Sequence, residues 1–268
     1  MATNILTIAG SDSGGGAGIQ GDLKSISATG AYGLSVITTL TAQNTMGVDA
    51  IYPVDISFLK EQLQAVAGDI QIDAVKIGML GTSEVIAAVA EFVAGLRCPI
   101  VVDPVMVAKS GDRLLQADAV TSLRELLIPK ASLVTPNLPE AADLLGVTEA
   151  SDRESMLNQA KALLRLGPGA VLLKGGHLST YESPDLLALG DGHIWYESER
   201  IKTMNTHGTG CTLSSALASF MGQGLDIPEA VSKAKTYIRG AITEAKRLNV
   251  GKGHGPVHHF WALWGDDG

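Results

Sequence analysis

Asn205-Thr206-His207-Gly208-Thr209-Gly210-Cys211 places two glycines and a cysteine where a turn of small residues runs into an apolar-periodic segment (Leu213, Ala216, Leu217, Phe220, Met221) that reads as a buried helix. Glycines at 208 and 210 let backbone approach a ligand closely. The first N–H groups of a helix have no carbonyl partners, so such an end holds an anion, and phosphate is the usual one. Cys211 falls in the first helical turn, where the positive end of the dipole favours a thiolate. A possible base beside a phosphate cradle suggests phosphoryl transfer to a hydroxyl. The same string, taken alone, also reads as a glycine-rich helix cap followed by a buried cysteine.

Further polar clusters fall at the carboxyl ends of apolar runs. Asp103 follows Ile100–Val102, and Asn137 and Glu140 follow Ser132–Val134. Lys174, with Gly175 and Gly176 behind it, follows Ala170–Leu173. Separately these are a turn-forming Asp-Pro, an N-cap with a first-turn glutamate, and a solvated lysine. Together they supply oxygen ligands for a metal and a cation for phosphates, the parts that a metal–phosphate site needs beside an anion-holding helix end. Gly16-Ala17-Gly18-Ile19-Gln20-Gly21 fits the dinucleotide fingerprint, but the next strand ends in Thr41-Ala42-Gln43-Asn44 without the acid that would hold a ribose. A Walker-type phosphate loop is absent from the sequence.

The elements that must position these residues alternate. Ile5–Ala9, Gly33–Leu40, Ala74–Ile77, Ile100–Val102, Ser132–Val134 and Ala170–Leu173 read as strands buried on both faces, as in a parallel sheet. Helical spacing marks 19–28, 56–67, 83–94, 117–127, 139–145, 153–166, 212–221 and 228–248. Leu186–Leu189 and His193–Tyr196, joined through Gly190-Asp191-Gly192, read as an antiparallel hairpin. The expectation is one α/β domain over residues 1–268, doubly wound, with a mostly parallel sheet and an antiparallel edge. At 268 residues and 46% hydrophobic, the chain can fill a large core. A net charge of −8 argues against binding nucleic acid or anionic membrane surfaces. The start MATNILTIAG lacks a basic region and a long apolar run, so a soluble, cytoplasmic protein is expected. Cys98 and Cys211 lie in unlike contexts and do not suggest a disulfide. Adjacent His258 and His259 do not share a helix face, which favours packing over metal binding. Lys109-Ser110-Gly111-Asp112 reads as a flap over the site.

Taken in order, several segments closely resemble the bacterial hydroxymethylpyrimidine/phosphomethylpyrimidine kinases of thiamin biosynthesis, a branch of the ribokinase-like superfamily. They include Ile5-Leu6-Thr7-Ile8-Ala9-Gly10-Ser11-Asp12, Gly15-Gly16-Ala17-Gly18-Ile19-Gln20, Ala42-Gln43-Asn44-Thr45 and Lys76-Ile77-Gly78-Met79-Leu80. Thr135-Pro136-Asn137-Leu138-Pro139-Glu140, Lys174-Gly175-Gly176-His177, the 205–211 turn and Gly251-Lys252-Gly253-His254-Gly255-Pro256-Val257-His258-His259 complete the match. The resemblance implies a ribokinase-like fold and a kinase that uses MgATP on 4-amino-5-hydroxymethyl-2-methylpyrimidine (HMP) and then on HMP phosphate. It implies that Gln43 pairs with the pyrimidine, with Gly10, Asp22, Met79 and Val107 forming the rest of that pocket. Gly208, Gly210 and Cys211 match the anion hole, Cys211 standing where most related sugar kinases carry a catalytic aspartate. Asn137 and Glu140, with Asp103, match the Mg²⁺ site. Lys174 is an expected phosphate contact, with Thr206, His207 and Thr209 beside it on the nucleotide side. A homodimer is implied by the same relatives. Ser13 and Gly21 depart from the proline and alanine expected there. A pyridoxal/pyridoxine kinase is the nearest alternative, because its substrate is also a flat hydroxymethyl heteroaromatic.

Overall fold

The computed structural model describes residues 2–106, 115, 117–178, 182–190 and 192–265. Val107 and the 109–112 flap therefore lie outside the described residues, as does Asp191. The chain runs β1 (Asn4–Ala9), α1 (Gly18–Ala28), β2 (Tyr32–Ile37), β3 (Thr39–Gln43), β4 (Val48–Pro53), α2 (Ile56–Asp69), β5 (Ala74–Ile77), α3 (Ser83–Val93) and β6 (Ile100–Val102). It continues through α4 (Ala117–Ser122), β7 (Leu133–Val134), α5 (Leu138–Leu145), α6 (Arg153–Leu164), β8 (Ala170–Lys174), β9 (Asp185–Leu189), β10 (Gly192–Tyr196), α7 (Thr209–Gly222) and α8 (Ile227–Thr243). The helical pattern expected over 117–127 is α4 followed by a wider i→i+5 turn over Leu123–Leu127.

Eight strands form one sheet in the order β10-β9-β8-β7-β6-β5-β1-β2. The pairs from β2 to β8 are parallel, while β9 is antiparallel to both β8 and β10, which is the expected antiparallel edge. The two-residue period of each strand divides its side chains between two cores. Leu6, Ile8, Val75, Ile77 and Val102 pack towards α2–α6, whereas Ile5, Ala74, Val101 and Leu133 pack against α7 and α8. Apolar residues on both faces are what a sheet covered by two helix layers requires. Chain order reverses between β1 and β5, so the crevice beyond their carboxyl ends is the switch point where such folds bind ligands.

One expected element is different. The run Gly33–Leu40 is not one strand: β2 ends at Ile37, and β3 pairs antiparallel with β4 as a separate two-stranded sheet. The break is fixed at Thr38, whose N–H donates to Ala9 O (3.0 Å) and whose Oγ1 donates to Met79 O (2.9 Å). β3 thereby leaves the main sheet and carries Gln43 over the strand ends. No helix among the described residues is long and apolar enough to cross a membrane.

Candidate active site

The cleft over the strand ends has a volume of about 1200 Å³ and is lined by residues from both the chemistry-bearing loops and the β3 hairpin. α7 forms one wall. Gly208 takes φ +79°, a left-handed conformation that favours glycine, and offers no side-chain cap to the helix. A Cβ there would also collide with the Gly16 carbonyl, so glycine at 208 is what lets the 205–211 turn close on the 11–17 loop. The uncapped first turn of α7 is thus left for an anion. A Cβ placed on Gly210 would lie 3.4 Å from Lys174 Nζ and 3.5 Å from Asp103 Oδ2, so the helix end and a buried ion pair meet at contact distance.

That ion pair joins two strand ends. Lys174 Nζ donates to Asp103 Oδ1 at 3.0 Å and lies 4.0 Å from Glu140 Oε2. Asp103 also accepts from Thr135 Oγ1 (3.1 Å) and Ser214 Oγ (3.3 Å). Burial pushes the Asp103 carboxyl up, but the ammonium groups of Lys174 and Lys76 overcome it and hold it below the usual range. Burial pulls Lys174 down, and Asp103 and Glu140 more than reverse that. For Glu140 the balance goes the other way: burial, with Asp103 and Asp143 adding to it, outweighs Lys174 and the Asn137 N–H and pushes the carboxyl up to about 7. Asn137 and Glu140 form a reciprocal cap on α5, with Asn137 Oδ1 accepting the Glu140 N–H (2.9 Å) and Glu140 Oε2 accepting the Asn137 N–H (2.8 Å). The capping reading is therefore realised, and both residues still line the cleft. Asp103, Asn137 and Glu140 bring carboxylate and carboxamide oxygens to the cleft, and a cation there would offset the burial of the Glu140 carboxyl, which fits Mg²⁺. Among the described residues no group of three or more His, Cys, Asp or Glu could cage a metal. An ion that keeps its waters and leans on substrate phosphates does not need one.

Cys211 is half-buried and lines the cleft, as expected, but its ionisation is not as expected. Burial pushes the thiol up to about 11, with Asp22 and Asp103 adding to the rise, and the nearby Lys76 ammonium and the Gly18 N–H only partly offset it. Loss of solvation outweighs the helix dipole, so the resting side chain is a thiol.

The cleft lining also brings Gln43, Gly10 and Met79 together, the residues expected at the pyrimidine. A register shift between Ala42 and Gln43 marks a bulge, the device that re-aims a side chain at a sheet edge. Gln43 Oε1 accepts from Thr41 Oγ1 at 3.1 Å. Gly10 makes room for the Met79 methyl, which a Cβ at position 10 would strike. Asp22 departs from the expected role. It is fully buried, and its oxygens accept from Lys76 Nζ (2.9 and 2.8 Å), Thr7 Oγ1 (2.6 Å) and Ser215 Oγ (2.7 Å), beneath the cleft rather than in its lining. The residue that reaches the cleft from this knot is Lys76, held above the usual lysine range by Asp22 against the pull of burial. A lysine at the centre of the apolar run Ala74-Val75-Lys76-Ile77 is the signal that could have singled it out. His207 is also committed: its Nε2 lies 2.7 Å from Asp12 Oδ2, and since a carboxylate only accepts, that nitrogen carries the proton. Burial pushes Asp12 up, but His207 and the N–H groups of Ala17 and Gly14 hold it below its usual range. Thr209 Oγ1 donates to Thr206 O (2.7 Å), stiffening the turn. His258 and His259 pack: His258 meets Trp264 edge-on at 5.0 Å, and His259 lies 3.1 Å from Thr212 Oγ1.

A sequence model of the phosphomethylpyrimidine kinase family matches residues 12–258. The hydroxymethylpyrimidine/phosphomethylpyrimidine kinase of Rhizobium meliloti (strain 1021) is 52% identical over 266 residues, which cover 99% of this chain and 100% of that protein. Among solved structures, phosphomethylpyrimidine kinase from Clostridium difficile 630 is 45% identical with a TM-score of 0.80, covering 89% of this chain and 99% of the other. An ADP complex of pyridoxal kinase from Bacillus subtilis is 36% identical with a TM-score of 0.89, covering 97% of this chain and 98% of the other.

Proposed function

The chain belongs to the phosphomethylpyrimidine kinase family, and from that premise we infer that it phosphorylates HMP, and then HMP phosphate, with ATP for thiamin biosynthesis. The observation that carries the reading is the meeting of the uncapped α7 end with the Lys174–Asp103 pair, in a cleft whose other end holds Gln43. The hydroxymethyl oxygen attacks the γ-phosphorus while the bond to the β,γ-bridging oxygen breaks, and ADP leaves. The amides of the first α7 turn and Lys174 bear the charge on the transferring group, so positioning and electrostatics dominate. Cys211 accepts the hydroxyl proton, which requires its thiolate form. The second acceptor is a phosphate oxygen that is already ionised and needs no base. Asp103, Asn137 and Glu140 would hold Mg²⁺, which supplies neutralisation of phosphate charge when bound. Gln43 presents an amide to the pyrimidine, which offers donor and acceptor edges, and Gly10 and Met79 give the ring a flat seat.

The same reading takes residues 1–268 as one kinase domain, acting as a cytoplasmic homodimer on small molecules, without nucleic acid or membrane partners. Sedimentation velocity tests the dimer. A second reading, pyridoxal kinase, draws on the likeness to the Bacillus subtilis enzyme. Purified protein with MgATP, offered HMP and pyridoxal separately and followed by mass, separates the two. Mono- and then diphosphate from HMP supports the thiamin assignment. Phosphorylation of pyridoxal with HMP untouched overturns it and the role given to Gln43.

A further inference from the structure

The stretch 251–259 carries no chemistry in the mechanism above, yet its glycines are placed against particular partners. Three consecutive amides of this strap converge on one residue in the β3–β4 turn. The Lys252 and Gly253 N–H groups donate to Thr45 Oγ1 (3.2 and 3.1 Å), and the His254 N–H donates to Thr45 O (3.0 Å). Gly251 adopts φ +72°, and a Cβ at either 251 or 253 would run into Thr45, so glycine at both positions is what lets the strap close on the turn. The strap then passes to the phosphate end of the cleft. Gly255 packs on the Asn205 carboxamide, the His207 N–H donates to Gly255 O (3.1 Å), and the Val257 N–H donates to His207 O (3.3 Å).

A second tie runs parallel to the first. Ser13 Oγ donates to Gln43 O (2.9 Å) and accepts the Gln43 N–H (2.8 Å), while its neighbour Asp12 holds His207 Nε2. Gln43 lies two residues from Thr45, on a two-stranded sheet that takes no pairing from the main one. Without external ties a two-stranded hairpin is marginal. Both ties end on His207, next to the first turn of α7.

We propose that Thr45 is a positioning residue for substrate recognition: seated in the 251–255 strap, it fixes the β3–β4 hairpin, and with it Gln43, relative to the phosphate-holding end of α7. This rests on the reading of Gln43 as the pyrimidine contact. His207 is the hub where the two ties meet.

The test is calorimetric binding of HMP, and separately of a non-hydrolysable ATP analogue, to the full chain and to Thr45→Val, Thr45→Ser, Gly253→Ala and Gln43→Ala. Thr45→Val keeps the side chain's shape and removes the acceptor for two amides. It is expected to weaken HMP binding about fivefold to tenfold, the effect of one or two lost hydrogen bonds, with nucleotide affinity within about twofold. Thr45→Ser should restore HMP affinity, and Gly253→Ala, which props the strap off the turn, should reproduce the valine result and stand in for it if that variant does not fold. Weak HMP binding in Gln43→Ala with unaltered binding in Thr45→Val and Gly253→Ala overturns the positioning role alone. Equal loss of HMP and nucleotide affinity, or no rescue by serine, also overturns it, because a general loosening of the fold would act that way. Unaltered HMP binding in Gln43→Ala removes the reading of Gln43 and the proposal together.

Discussion

If Cys211 is the base for the first phosphorylation, that step must carry the titration of a thiol whose proton is held unusually tightly. With burial pushing the thiol up to about 11, the thiolate fraction is about 10⁻⁴ at pH 7 and rises about tenfold with each pH unit until the group titrates. The competent base is the deprotonated form, so the rate climbs with pH through neutrality and beyond. Single-turnover measurements between about pH 7 and pH 9 should therefore show a roughly hundredfold rise for HMP and a nearly flat profile for HMP phosphate, whose attacking oxygen needs no base. Cys211→Ala should flatten the HMP profile and slow the first step far more than the second. The pH dependence of iodoacetamide modification of Cys211 gives the thiol titration independently of turnover. A flat HMP profile in the unmodified enzyme, a slope that survives in Cys211→Ala, or equal loss in both steps would refute the base role and leave Cys211 as a neutral part of the anion hole.

Other expectations follow from the same geometry. Lys76→Met leaves Asp22 buried without its ammonium, which should lower unfolding free energy by about 3–5 kcal/mol, read from the urea midpoint. A midpoint close to that of the parent protein would show that Thr7 and Ser215 suffice to hold the carboxylate. Lys174→Met removes the cation at the helix end and should raise KM for ATP about tenfold or more while altering KM for HMP little; the reverse pattern in initial rates would misplace the phosphates. Glu140→Gln should raise the Mg²⁺ concentration needed for half-maximal rate, whereas an unaltered magnesium titration would remove Glu140 from the metal site. Gly208→Ala introduces a Cβ against Gly16 at φ +79° and should abolish both phosphorylations; retained activity would contradict the closure of the two loops.

How far these features could be read in the sequence depended on whether a residue's surroundings were local. β6 is an uninterrupted apolar run and β5 an apolar run broken only by Lys76, both lie between turn signals, and their bounds match the structure. The α5 cap is equally local, because Asn137 and Glu140 satisfy one another within one turn. β4 could not be found that way, since most of Val48–Pro53 is exposed and no apolar alternation marks it. The break at Thr38 depends on Ala9 and Met79, distant in sequence, so the run from Gly33 read as one strand. Asp22 matched a pocket residue by position, but its orientation is set by Lys76 and Ser215, on β5 and α7. The Cys211 thiolate failed for a similar reason: the dipole belongs to one helix, whereas desolvation comes from everything packed around its end.

The detachment of β3 and β4 from the main sheet has a consequence for how such an enzyme can diversify. The contacts proposed for phosphate stand on β6, β8 and α7, all anchored in the shared core, while the contact proposed for the heteroaromatic ring hangs on a hairpin that shares no strand pairing with them among the described residues. Mutations in the hairpin can therefore alter which ring is accepted without touching the machinery that moves the phosphoryl group. With the proposed role of Gln43, that separation makes the hairpin a module on which selection for the ring can act. The glycine-lined strap limits how far such replacement can go, because each new hairpin must still offer it a seat.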